Sequence, residues 1–205
     1  MKKPFFISDY VSIRKNSLSL NGETLFSDIQ VTSFKEFSKK LYKQIDLNYP
    51  KFYKMDNLSK LALLATEVLF KTKNYKPEQE NIALILSNRS GSLNTDLKHQ
   101  DSIADETSFF PSPAVFVYTL ANICLGEISI KYKLQTVNAF FVFENFQPEF
   151  LTGYSEQILN SGKANKVLCG WVEYTEENYE AFIYLVDQEG EIKHQSETIK
   201  KLYLE

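Results

Sequence analysis

Residues Ser112–Leu134 read SPAVFVYTLANICLGEISIKYKL, and this stretch decides the fold. Pro111-Ser112-Pro113 excludes helix immediately upstream, because proline lacks an N–H and restricts the residue before it. From Ala114 the apolar residues continue to Lys131 without a turn signal, so the segment predicts one long helix over Ala114–Lys131. Thr119, Asn122, Gly126 and Ser129 fall on one side of it at helical spacing. A glycine inside a helix costs about 1 kcal/mol relative to alanine. Gly126 is therefore expected where another backbone comes close.

Upstream, Phe5–Ile13 predicts a strand, and Ser17–Phe26 a hairpin turning at Asn21-Gly22, the pair that tolerates a type I′ turn. Asp56/Asn57 are placed to cap a helix from Leu58, with Leu58, Leu61, Ala62, Ala65, Val68 and Leu69 on its apolar side. Glu67 and Lys71 form an i,i+4 pair on another side. Asn81–Ser87, NIALILS, is apolar throughout, as a strand covered on both faces requires. A polar turn, Asn88–Ser92, leads to a short helix over Ser92–Lys98, and residues 99–113 predict an irregular connection. Downstream, Val137–Phe143 predicts a strand. Pro148–Asn160 predicts a helix with Phe150, Leu151, Tyr154 and Ile158 inward and a stop at Ser161-Gly162. Lys166–Trp171 predicts a buried strand. A terminal antiparallel ribbon follows, with Glu180–Val186, a turn at Asp187–Gly190 and a return strand over Glu191–Leu204. Alternating strands and helices imply a layered α/β fold: a mixed, mostly parallel sheet with helices on both faces and a C-terminal β-hairpin.

The 205 residues carry a net charge of −3 and 24% charged residues, an ordinary balance that argues against nucleic acid as a partner. Aromatic residues make up 14% of the chain, enough for a heavily aromatic core or an apolar partner surface. Lysines group at Lys39, Lys40 and Lys43, at Lys71, Lys73 and Lys76, and at Lys131 and Lys133. They are solvated element ends or docking points for an acidic carrier protein. Cys124, Cys169, His99 and His194 are too scattered for a metal site or a disulfide framework. His194 is expected on the surface of a strand, and both cysteines as small buried hydrophobes. No apolar run reaches the ~18 residues that span a bilayer. The start, MKKPFFISDYVSI, is interrupted by Asp9 and lacks a small-residue cleavage site, which places the protein in the cytoplasm. With no linker or repeat, residues 1–205 read as one domain.

Several stretches in consistent order resemble the N-terminal half of the β-ketoacyl synthase family, which has the thiolase-like fold. Leu58–Leu69 resembles the family's first long helix, and Asn81–Asp96 its next strand and Ser-Gly turn. Ser112-Pro113, Phe116, Thr119, Asn122 and Gly126 resemble the motif before the nucleophile. Gly162–Glu173, GKANKVLCGWVE, resembles the strand after the nucleophile helix.

The departures carry the functional reading. Active members hold a cysteine in a small-residue turn at a helix N-terminus, where the dipole and N–H groups lower the thiol pKa and stabilise an oxyanion. Here Glu144-Asn145-Phe146 occupies that turn, with Asn145 nearest the nucleophile position. The family's two catalytic histidines lie in a second half that this sequence does not contain. The resemblance implies a catalytically inactive, chain-length-factor-like subunit with no cofactor. It would form a heterodimer with a full-length β-ketoacyl synthase and act on chains held by an acyl carrier protein. The products implied are fatty-acid or polyketide-type chains, aryl polyene or flexirubin pigments among them. In such dimers the strand before the nucleophile turn pairs across the two-fold axis. Phe140, Phe141, Val142 and Phe143 of that strand, with Phe116, Thr119, Leu120 and Ile123, are the interface or acyl-tunnel candidates. The same apolar strand is also compatible with burial by this chain alone or with a homodimer. The alternative function is a stand-alone module binding an acyl group or acyl carrier protein without a ketosynthase partner. A further alternative is an enzyme using Cys124 or Cys169.

Overall fold

The computed structural model describes residues 4–72, 75–104, 111–176 and 178–205. Strand β1 (Phe6–Arg14) turns at Lys15-Asn16 into β2 (Ser17–Leu20), and Asn21-Gly22 returns the chain as β3 (Glu23–Ser27). Both turns place two consecutive residues at positive φ, the conformation that matches the twist of paired strands. Asn21 secures its turn by accepting from the Tyr10 N–H and donating to Asp9, each at 2.9 Å.

Helix α1 (Phe34–Gln44) starts at Ser33, whose hydroxyl accepts from Glu36 N–H. Helix α2 (Asn57–Thr72) starts at Asp56, whose carboxylate accepts from Ser59 N–H at 3.0 Å. Then follow β4 (Ile82–Asn88), α3 (Leu93–Ile103), α4 (Pro113–Val117), α5 (Ile123–Tyr132), β5 (Asn138–Val142) and α6 (Pro148–Asn160). The chain closes with β6 (Lys166–Tyr174), β7 (Tyr179–Asp187), β8 (Ile192–Lys193) and α7 (Ser196–Leu204).

The sheet runs in the order β3-β2-β1-β7-β6-β4-β5, with β8 beside β1. It is mixed, as expected, but the parallel share is smaller than the sequence suggests. Parallel pairing is confined to β4–β5 and β4–β6, and the other pairings are antiparallel.

Strand alternation explains the continuous apolar run of β4. Ile82, Leu84 and Leu86 join a core with Leu61, Leu64 and Leu69 of α2 and Leu125 and Ile128 of α5. Ala83 and Ile85 join a second core with Leu151 and Ile158 of α6 and Ile199 of α7. Helices thus cover both faces. The first layer is tied together by buried Glu67, which takes Lys71 at 3.3 Å and also Lys131 and the Tyr132 hydroxyl. Burial would raise the Glu67 pKa, but Lys131, Tyr132 and Lys71 outweigh it and hold the carboxyl below its ordinary value. Glu67 is therefore not on a solvent face, and Lys131 is drawn inward rather than left as a solvated docking group.

Five local expectations are corrected. The helix expected over Ala114–Lys131 is two helices separated at Tyr118–Asn122. Side chains compete for its backbone there: the Ser92 hydroxyl bonds Thr119 O, and Thr119 Oγ1 donates to Phe116 O at 2.7 Å. No backbone crowds Gly126; the glycine under that constraint is Gly170, where a Cβ would lie 2.2 Å from Phe182 O of β7. The connection expected over 99–113 begins as helix, since α3 runs to Ile103, while residues 105–110 lie outside the described residues, as does Lys73. The return strand expected over Glu191–Leu204 stops at Lys193, and α7 follows. The apolar side of α7 (Ile199, Leu202, Tyr203) covers the second core, which an isolated edge ribbon would leave open. His194 is not a surface residue: it is 3% exposed, between Ser155 and Tyr184.

Candidate functional site

Two features meet at the C-terminal ends of the parallel strands β4, β5 and β6. The first is an open strand edge. β5 is the last strand of the sheet, and among the described residues nothing pairs with its outer side. Phe141 and Phe143 turn toward α6, where Phe150 and Tyr154 complete an aromatic cluster with Phe141–Phe150 and Phe141–Tyr154 centroids 4.8 and 5.2 Å apart. Phe150 is thus exposed beside the strand rather than inward as expected. Phe140, on the opposite face, packs against the first core. Val142 is 59% exposed, and Phe116 and Leu120 are 58% and 56% exposed. Thr119 lies in the turn between α4 and α5, and Ile123 begins α5, which packs against β5. The reading of β5 as a central strand buried by this chain alone does not hold.

The second feature is the turn after β5. Glu144, Asn145 and Phe146 line a cleft of about 390 Å³, closed by Arg89, Pro148, Glu149, Trp171, Glu173, Glu180, Lys200, Tyr203 and Leu204. Ligands of open α/β sheets gather at such strand ends. Phe146 forms the floor, its ring centroid 4.6 Å from Tyr203 and 6.1 Å from Trp171.

Two of the carboxylates are held by the wall. Glu173 accepts from the backbone N–H groups of Arg89 (2.7 Å), Ser90 (3.1 Å) and Tyr174 (3.1 Å). Glu180 accepts from Trp171 Nε1 (3.0 Å), the Tyr203 hydroxyl (2.7 Å) and Arg14 Nε (3.1 Å). Burial first, and the bond to Glu180 second, push the Tyr203 phenol well above its ordinary pKa, so it stays a donor. Glu144 and Glu149 are exposed and make no ion pair among the described residues.

This arrangement opposes nucleophilic chemistry at the turn. Helix α6 begins on Pro148, which has no N–H to offer, and Gln147 makes no side-chain cap. Glu149 in the first turn offsets the positive end of the helix dipole. The start of α6 therefore lends less positive potential than a thiolate or oxyanion would draw on at a helix N-terminus, while Arg89 and Lys200 offset the exposed carboxylates across the cleft. Neither cysteine lines the cleft. Cys124 and Cys169 are fully buried, and burial pushes the Cys169 thiol up to about 12 and the Cys124 thiol higher still. Among the described residues no group of three or more His, Cys, Asp or Glu could hold a metal ion, and no helix is long and apolar enough to cross a membrane.

Arg89, Glu149, Glu173, Glu180, Lys200 and Tyr203 were not legible as cleft residues. Lys200 and Tyr203 sit on α7, and only the helical form of that segment turns them toward the turn after β5.

The architecture is the thiolase-like fold of the ketosynthases and chain length factors. The ishigamide ketosynthase/chain length factor superposes with a TM-score of 0.65 at 15% identity, over 90% of this chain and 62% of its own. A type II polyketide ketosynthase, in complex with its acyl-carrier protein and bound to a hexaketide, superposes with 0.66 at 12% identity, over 91% of this chain and 63% of its own. The complex of the ketosynthase ApeO with its chain length factor ApeC, from Xenorhabdus doucetiae, gives 0.58 at 16% identity, over 91% of this chain and 80% of the matched chain. This chain thus spans less than two thirds of the first two. No protein-family model and no curated protein matches the sequence.

Proposed function

We propose that this chain is a catalytically silent ketosynthase-like subunit, resembling a chain length factor, that pairs through β5 with a full-length ketosynthase. Together they would extend fatty-acid or polyketide-type chains, of the aryl polyene or flexirubin kind, held on an acyl carrier protein. One observation carries the reading: an apolar strand edge lies open immediately before a turn that holds Asn145 in place of a cysteine. A long, exposed, apolar edge is an aggregation hazard unless something covers it. Val142 and Phe150 give that edge apolar flanks, as a permanent interface has, and Phe116 and Leu120 add exposed apolar side chains elsewhere on the surface. Phe140, Phe141, Phe143, Thr119 and Ile123 then support the interface or the end of the acyl tunnel from behind.

Co-expression with a full-length ketosynthase from the same genome tests the proposal. A stable heterodimer whose acyl products differ in length from those of the ketosynthase alone is expected. Separate elution of the two proteins at micromolar concentration, with unchanged products, refutes it.

A further inference from the structure

Several lysines that stand out in the sequence are taken up within the chain. Lys71 and Lys131 close onto Glu67, Lys40 onto Asp28 and Glu36, and Lys51 onto Glu127. A different set stays open. Lys35 and Lys39 of α1, Lys60 of α2 and Lys98 of α3 make no ion pair among the described residues. We infer that these four lysines form a docking surface for an acidic amphipathic helix of a partner protein. The inference goes beyond the proposed pairing through β5 and concerns the outside of the first helical layer.

Lys60 stands one turn into α2, half-buried, with Nζ 5.9 Å from the Phe52 ring centroid. The Thr95 hydroxyl of α3 donates to Asp56 at 3.2 Å, which brings Lys98 beside this turn. Lys98 itself reaches only Asn94 Oδ1, at 2.9 Å. Burial lowers the Lys60 pKa and Asp56 opposes it, but Lys98, Lys35 and Lys39 repel the ammonium, and the shift stays downward. Carboxylates on these elements are engaged elsewhere. Asp56 accepts from Ser59 N–H and Thr95, Asp96 from the Ser92 hydroxyl, and Glu176 from Asn94, while Asp28 and Glu36 hold Lys40. A chain of net charge −3 thus gathers unmatched cations on one surface. Partly desolvated, mutually repelling charges of this kind are relieved by an anionic partner. They are spread over three helices outside the cleft after β5, so their complement is a row of carboxylates rather than one small anion. Exposed Leu97 and Tyr53, next in sequence to Lys98 and Phe52, add the apolar contacts that one face of an amphipathic helix needs.

Fluorescence anisotropy of a labelled Glu/Leu/Ala peptide, patterned as an amphipathic helix and added to the isolated full-length chain, reads the docking. The same peptide with Gln in place of Glu is the neutral control. Saturable binding that weakens with added salt is expected. It should be at least ~10-fold weaker for the neutral peptide, for Lys60→Gln/Lys98→Gln and for Lys35→Gln/Lys39→Gln, through loss of charge-assisted contacts. Lys35 and Lys39 lie on the exposed side of α1, so the second pair decides the matter even where the first disturbs the start of α2. Equal binding of the neutral peptide, or unchanged affinity in the Lys35→Gln/Lys39→Gln chain, overturns the inference. So does full displacement of the peptide by equimolar inorganic pyrophosphate, or preferential uptake of the chain onto phosphatidylserine vesicles. Because no ketosynthase is present in this measurement, its failure leaves the pairing through β5 standing, and failed pairing leaves the lysine surface standing.

Discussion

Phe150 meets Phe141 edge-on, with ring centroids 4.8 Å apart, and this contact fixes the exposed strand β5 against the helix that follows the Glu144–Phe146 turn. The strand is supported on its α6 face while its outer hydrogen-bonding edge and Val142 stay open. Support from behind with exposure in front suits a preformed docking strand, whose binding cost in ordering is small.

Val142→Lys places a charge on that edge without touching either core. Surface changes of this kind shift stability by about 0.5 kcal/mol or less. The thermal midpoint is therefore expected to hold, while co-purification with the ketosynthase, and any self-association of the isolated chain, is lost. Size-exclusion chromatography beside a melting curve reads both. A variant that still forms the heterodimer places the interface elsewhere.

Asn145→Cys restores a thiol at the position nearest the nucleophile. With no N–H at Pro148 and Glu149 in the first turn of α6, the new thiol lacks the helix-terminal positive potential that favours a thiolate. Iodoacetamide at neutral pH is expected to modify it no faster than an unstructured cysteine peptide, and no condensing activity should appear. Alkylation ten times faster than the peptide would contradict the electrostatic reading of the turn.

His194 supplies a pH dependence. Its imidazole is buried, and burial lowers its pKa to about 4, with Ser155 Oγ 3.5 Å from Nε2, Glu156 3.8 Å from Nδ1 and Tyr184 alongside. The unfolded chain takes up the proton near pH 6.5 and the folded chain only near pH 4. Stability is therefore full above about pH 6.5 and falls as pH drops between those values, by up to ~3 kcal/mol. Denaturant unfolding at a series of pH values should show this slope, and His194→Gln should flatten it. An unchanged slope in the variant would assign the titration to other groups.

Much of the scaffold was legible because local chemistry suffices for it. Asp56 caps α2, Asn21-Gly22 turns the hairpin, and Pro148 with Gly162 bounds α6, each through bonds made within a few residues. The all-apolar run of β4 announced burial on both faces, since neither register of a strand with one wet face would tolerate it. The failures share one cause. Residues 118–122 interrupt a helical pattern because Ser92, 27 positions away from Thr119, bonds its carbonyl. The terminal segment became α7 because a sheet face stood uncovered above Ile199, and periodicity does not reveal an uncovered face. Gly126 drew attention by its place in a helix, yet the crowded glycine is Gly170, squeezed by a strand that follows it in the chain.

What the residues determined alone was the α/β alternation, the resemblance to one half of a condensing fold, and the absence of a thiol at Asn145. Tertiary structure decided the rest: that β5 stands at the edge of the sheet rather than inside it, and that Glu149, Lys200 and Tyr203 converge on one cleft. Strand order and convergence are long-range properties. They are set by which surfaces remain to be covered once the local elements have formed, and no short window of sequence contains that information.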